Sequence, residues 1–109
     1  MHEERLMRYG LKEQTIESIC GVFAHHPLVE KAMLYGSRAI GNFKPGSDID
    51  LTLFGVSLTS LELGVIDEEL DDLLLPYQID LSIFHRIENM DLREHIERVG
   101  VVFYRKLVS

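Results

Sequence analysis

Apolar residues recur at helical spacing early in the chain. Ile16, Ile19, Cys20 and Phe23 share one stripe, and Lys12, Glu13, Gln14, Glu17 and Ser18 mostly face away from it. That period predicts an amphipathic helix from about Leu11 to Ala24. Pro27 follows, and the run from Leu28 to Tyr35 reads as a short strand leading into Gly36. Ser37 to Ile40 predicts a short helical segment. Asp48 to Phe54 alternates polar and apolar positions and closes at Gly55, the signature of a second strand. Thr59 and Glu62 stand at capping-box spacing. They open a second long helix with Leu63, Ile66, Leu70, Leu73 and Leu74 as its inward stripe, and Asp67, Glu68, Glu69, Asp71 and Asp72 as its solvated face. Gln78 to Phe84 predicts a third strand. Asn89 caps a last helix carrying Leu92, Ile96 and Val99, Gly100 stops it, and Val101 to Tyr104 is an apolar tail suited to a final strand. This order predicts an α+β fold, a small mixed β-sheet flanked by helices, rather than a bundle or a barrel.

The 109 residues contain no low-complexity tract or Pro/Gly-rich linker, so a single domain over 1–109 is expected. Hydrophobic residues make up 46% and charged residues 27%, as in soluble globular chains. No apolar run approaches the roughly 18 residues that span a bilayer, and Met1-His2-Glu3-Glu4-Arg5 does not read as a signal peptide. The net charge of −7, from 11 basic and 18 acidic side chains, argues against generic nucleic-acid binding, which needs clustered Lys and Arg. Cys20 is the lone cysteine and lies on the first helix's apolar stripe, which predicts a buried, inert thiol. A cytoplasmic location is expected. Homo-oligomerisation through the apolar tail is left open.

The chemistry is concentrated in two strands. Asp50-Leu51-Thr52-Leu53-Phe54 and Asp80-Leu81-Ser82-Ile83-Phe84 are nearly the same pentapeptide. In each, the aspartate, the hydroxyl residue and the phenylalanine share one face. A helix connects the two segments, which favours parallel and even neighbouring strands. Asp48, Asp50 and Asp80 then project together, and three such carboxylates repel one another unless a cation joins them. Oxygen ligands without His or Cys suit Mg²⁺ or Mn²⁺ and argue against zinc. Upstream, Gly36 lets the backbone approach a phosphate closely, while the Ser37 hydroxyl and the free amides of the following turn can donate to its oxygens. Arg38 and Lys44 add positive charge, and Ser47 joins the set immediately before Asp48. Gly-Ser alone carries little information. Gly36-Ser37 followed eleven residues later by Asp48-Ile49-Asp50, with Asp80 on a third strand, is specific.

The segment Gly36-Ser37-Arg38-Ala39-Ile40-Gly41-Asn42-Phe43-Lys44-Pro45-Gly46-Ser47-Asp48-Ile49-Asp50-Leu51 resembles the signature of the DNA polymerase β-like nucleotidyltransferase superfamily. It is most similar to the minimal branch, which includes MntA-type antitoxins and the small subunits of two-component nucleotidyltransferases. The likeness extends over nearly the whole chain. It implies the nucleotidyltransferase fold, with Gly36, Ser37, Arg38, Lys44 and Ser47 at the nucleotide and Asp48, Asp50 and Asp80 as catalytic metal ligands. The implied reaction moves an NMP from ATP or another NTP to a hydroxyl and releases pyrophosphate. The implied partner is a small helical HEPN-type toxin or a substrate-binding subunit, because this chain lacks the extra domain with which larger relatives hold the acceptor. A reading of another class is a non-catalytic, antitoxin-like module that masks a helical partner through its acidic helix face. His25-His26 are expected to cap the first helix through its dipole. His85 and His95 are read as surface or boundary residues, and Tyr35 as strand core.

Overall fold

The computed structural model describes residues 7–107, so the reading of the N-terminal pentapeptide lies outside the described residues. Two short strands, β1 (Met7–Arg8) and β2 (Leu11–Lys12), form an antiparallel hairpin before helix α1 (Glu13–Ala24). The predicted helix therefore starts two residues late. Leu11 is fully buried, but as part of the hairpin, and Lys12 is the extended residue that caps the helix start. Strand β3 (Lys31–Tyr35), the short helix α2 (Ser37–Ile40), strand β4 (Ile49–Phe54) and helix α3 (Ser60–Asp71) follow. Strand β5 (Ile79–Ile83) runs into a 3₁₀ turn at Phe84–Arg86, and helix α4 (Met90–Val99) precedes strand β6 (Val101–Arg105).

Four strands form one sheet in the order β5-β4-β3-β6. β3 pairs antiparallel with β4 and β6, while β4 and β5 are parallel, so the sheet is mixed as the residue pattern predicts. One face carries Ile49, Leu51 and Leu53 of β4 into the main core with Ile16, Ile19 and Phe23 of α1 and Ile66 and Leu70 of α3. A smaller cluster of Tyr35, Phe84 and Ile96, with Phe54, Ile87 and Leu92 packed against it, brings in α4. The final strand closes the core, with Phe103 buried on it. Cys20 is half-buried against the Phe103 carbonyl, and burial pushes its thiol up to about 11, which leaves it protonated and unreactive at neutral pH. No helix among the described residues is long and apolar enough to cross a membrane.

Thr59 caps α3 by accepting from the Glu62 amide, and Asn89 caps α4 by accepting from the Leu92 amide, both as their spacing predicts. Two expectations about α3 change. The helix ends at Asp71, and Leu74 lies beyond it with φ 55° and 88% exposure, so the inward stripe is shorter than the run of leucines suggests. The Glu62 carboxylate bonds to His26 instead of closing the capping box.

His26 is correspondingly no helix-dipole cap. It is buried, with Nδ1 2.7 Å from Glu62 and Nε2 2.8 Å from Glu69, one α3 residue on each ring nitrogen. Burial disfavours the imidazolium, but the hydrogen bonds to Glu69 and Glu62 outweigh it and hold the pKa above its ordinary value. A folded pKa above the unfolded value of about 6.5 means the clamp contributes fully below that pH and fades as pH rises through the folded value. Thermal unfolding from pH 5 to 9 is expected to show wild type losing about 1 kcal/mol relative to His26→Gln across the upper part of that range.

Candidate functional site

The two near-identical pentapeptides lie side by side. β4 and β5 pair in the register Asp50↔Asp80, Leu51↔Leu81, Thr52↔Ser82 and Leu53↔Ile83. In-register residues of neighbouring strands point to the same face about 4.8 Å apart, so Asp50 and Asp80 stand next to each other. Below them Ser82 donates to Thr52 at 2.9 Å, and the Phe54 and Phe84 rings stack at 4.6 Å. The aspartates thus sit on a hydroxyl pair and an aromatic pair that lock the strands together, the stack alone contributing about 1 kcal/mol. Asp48 immediately precedes β4 and is exposed, as is Asp80, whereas Asp50 is half-buried.

Gly36 closes the other side. In the antiparallel pairing Tyr35 lies opposite Asp50, which brings the next residue against that carboxylate. Gly36 has φ 76° and ψ −156°, and a Cβ there would land on the Asp50 carboxylate oxygen. Only glycine both reaches this conformation without strain and leaves room for the acid. The Gly36 carbonyl accepts from Ala39 and Ile40, starting α2, whose first amides, at Ser37 and Arg38, have no preceding turn to donate to. They and the Ser37 hydroxyl are the donors available to an anion beside Asp50.

Burial pushes the Asp50 carboxyl above its ordinary value, and the charges of Asp80 and Asp48 push in the same direction, opposed by His95. This is the electrostatic profile of a site that favours added positive charge. Among the described residues no three His, Cys, Asp or Glu side chains group closely enough to hold a metal ion between them, so Asp48, Asp50 and Asp80 do not form one three-carboxylate cluster. The donor set fits a hard cation held by one or two carboxylates and completed by phosphate oxygens and water, the usual manner of Mg²⁺.

The remaining candidates separate. Arg38 does not face this acidic site. It is only 2% exposed, and its guanidinium donates to the carbonyls of Tyr9 (2.9 Å), Pro45 (3.2 Å) and Ser47 (2.8 and 3.1 Å) while lying against the Phe43 and Tyr77 rings. Its charge is used to shape the loop that delivers Asp48. The Ser47 hydroxyl accepts from the Lys44 amide at 2.8 Å and closes the same turn, and Lys44 itself is exposed. Tyr35 and His95, both outside the candidate set, are coupled to the carboxylates through charge, and Ser82 bonds to Tyr35. The phenol of buried Tyr35 is raised by burial and then by Asp80, with a hydrogen bond to Ser82 opposing and Asp50 adding. His95 packs edge-on to the Tyr35 ring, with centroids 6.2 Å apart at 81°. The hydroxyl positions of the repeated pentapeptide could have flagged Ser82. Nothing in the sequence points to His95.

Beside Asp48 and Asp80 lies a groove of about 420 Å³, walled by α3 and by β5, an edge strand of the sheet.

A mixed sheet with paired strand carboxylates and a glycine-bounded helix start beside them defines the nucleotidyltransferase class. The family model described as Polymerase beta, Nucleotidyltransferase matches residues 17–107, and the chain belongs to that family. Its fold is similar to that of minimal nucleotidyltransferases in toxin–antitoxin complexes. A chain in the crystal structure of a toxin–antitoxin with AMP-PNP superposes with a TM-score of 0.67 at 20% identity, covering 88% of this chain and 75% of that one. A chain in the MntA–HepT toxin–antitoxin structure gives 0.64 at 15% identity over 87% and 74%. A chain in the complex of tri-AMPylated HEPN toxin with MNT antitoxin from Shewanella oneidensis gives 0.64 at 16% identity over 86% and 72%. Comparison with curated proteins returns no match in sequence.

Proposed function

We propose that this protein is a metal-dependent nucleotidyltransferase that moves AMP from ATP to a hydroxyl of a partner protein. In this reading it is the cytoplasmic antitoxin half of a two-component pair with a helical HEPN-type partner. The observation that carries the reading is the in-register pairing of Asp50 with Asp80 beside Gly36. Support also comes from fold neighbours crystallised with AMP-PNP and with an AMPylated HEPN toxin.

Asp48 and Asp50 would hold Mg²⁺ or Mn²⁺, which when bound neutralises the phosphate charge and polarises the α-phosphoryl group. Gly36 lets the triphosphate approach, and the Ser37 hydroxyl and first amides of α2 bind its oxygens. Asp80 takes the proton of the acceptor hydroxyl. The hydroxyl oxygen forms its bond to the α-phosphorus as the bond to the bridging oxygen of the β-phosphate breaks, and pyrophosphate leaves. The chain is to be purified with the protein encoded beside it and incubated with α-labelled ATP and Mg²⁺. Label on the partner is expected; no label together with no ATP binding overturns the reading.

A second reading, masking of the partner by contact alone, draws on the outer face of α3. Leu61 there is 81% exposed beside Val65, Glu68 and Asp72. In that case Asp48→Asn with Asp50→Asn still neutralises the partner in cells.

A further inference from the structure

We infer that Tyr35 is a positioning residue for the transfer, bracing β3 to β5 and so aiming the Asp50 and Asp80 carboxylates. The inference rests on the nucleotidyltransferase reading and adds to it a residue outside the Gly36-to-Leu51 segment. The strand pairings put Tyr35, Asp50 and Asp80 in one row, on three neighbouring strands and one face of the sheet. Met33, Thr52 and Ser82 form the next row of that face. Tyr35 does not stay within its own row. Its phenol bonds to Ser82, two strands across and one row down.

Two strand spacings amount to about 10 Å and one row to about 7 Å, so only a long side chain laid along the sheet makes that bond. On its way it must cross β4 between Asp50 and Thr52. Ser82 in turn donates to Thr52 at 2.9 Å, and the three strands are joined by a chain of three hydroxyls. The ring has no freedom to leave this path. It is only 7% exposed, packs in one cluster with Phe84 and Ile96, and meets His95 of α4 edge-on. A phenylalanine would fill the same space, so the buried hydroxyl is accounted for by the bond it makes.

The backbone ladder sets where the two aspartates start, but their side-chain torsions remain to be fixed. Asp50 is closed in on two sides. The Gly36 backbone lies so near that a Cβ there would strike the carboxylate oxygen, and the Tyr35 side chain passes on the side toward Thr52. What is left to the Asp50 carboxyl is the direction of Asp80, its neighbour on β5. The phenol is near enough to both acids for each charge to act on it, Asp80 more strongly than Asp50. Tyr35 thus touches no substrate; it acts through the carboxylates it holds.

The test compares wild type, Tyr35→Phe, Ser82→Ala and the double variant, each with α-labelled ATP, Mg²⁺ and the protein encoded beside this chain. Each single variant is expected to lower kcat about tenfold while KM for ATP stays within about twofold of wild type. The double variant should lose no more than either single one, because both substitutions remove the same bond. A second readout needs no turnover. The chain has four tyrosines and no tryptophan, so adding Mg²⁺ and ATP should perturb its near-ultraviolet tyrosine spectrum, and Tyr35→Phe should abolish that change. A side chain that only packs the core would lower Tm and leave kcat, measured well below the transition, unchanged. Wild-type kcat in Tyr35→Phe or Ser82→Ala, losses that multiply in the double variant, or a tyrosine signal that survives Tyr35→Phe overturns the inference. A wild-type chain that fails to bind ATP overturns the nucleotidyltransferase reading itself.

Discussion

Replacing Arg38 by alanine is expected to lower stability by about 3 kcal/mol, seen as a fall in Tm of about 15 °C. The guanidinium is buried, and its donors satisfy carbonyls from three separate places: the turn at Tyr9, Pro45, and Ser47 just before Asp48. Truncation leaves those carbonyls without their donor and opens space against Phe43 and Tyr77. For a domain whose whole stability is about 5–15 kcal/mol, that is a large fraction. Arg38→Lys should recover little, because one ammonium cannot reproduce a planar fork spread over three carbonyls. Calorimetry checks the magnitude, and activity should fall with it because the loop carrying Asp48 loses its anchor.

Asp48→Asn with Asp50→Asn is expected to reduce AMP transfer by a factor on the order of 10³ or more while leaving the fold intact. The sign on stability is the informative part. Asp50 carries a carboxylate that burial and two neighbouring charges already disfavour, so neutralising it relieves repulsion. Without added metal, the double variant should melt at or above the wild-type temperature. Loss of transfer at an unchanged or higher Tm separates a site defect from a folding defect. A lower Tm would contradict the like-charge picture.

These two outcomes also mark where the amino-acid sequence is legible. The α+β class and the sheet's parallel pair follow from local pattern: period two in the strands, period 3.6 in the helices, caps at Thr59 and Asn89. The approach of Asp50 to Asp80 was readable because two copies of one pentapeptide, joined by a helix, favour pairing in step. Arg38 was misleading because its neighbours in sequence, Gly36 and Ser37, suggest a phosphate. Its actual partners include Tyr9, 29 residues away, and only the fold brings them together. His26 fails in the same way, since its two glutamates lie 36 and 43 residues along. Leu74 shows a different limit: helical periodicity continues in the residue types past Asp71, but a backbone turn with positive φ ends the helix first.

The register of β4 on β5 makes the backbone ladder the ruler for the carboxylates. Interstrand spacing and pleat fix how far Asp50 lies from Asp80 and on which face, whatever the intervening chain does. Length change is therefore tolerable in one place and fatal in another. Residues added or removed in the connection between Asp71 and Ile79 leave the ruler unread, while a single insertion inside β5 turns Asp80 to the opposite face and leaves Asp50 alone. Across chains built on this plan, size can drift in the loops, but the count of residues along these two strands cannot.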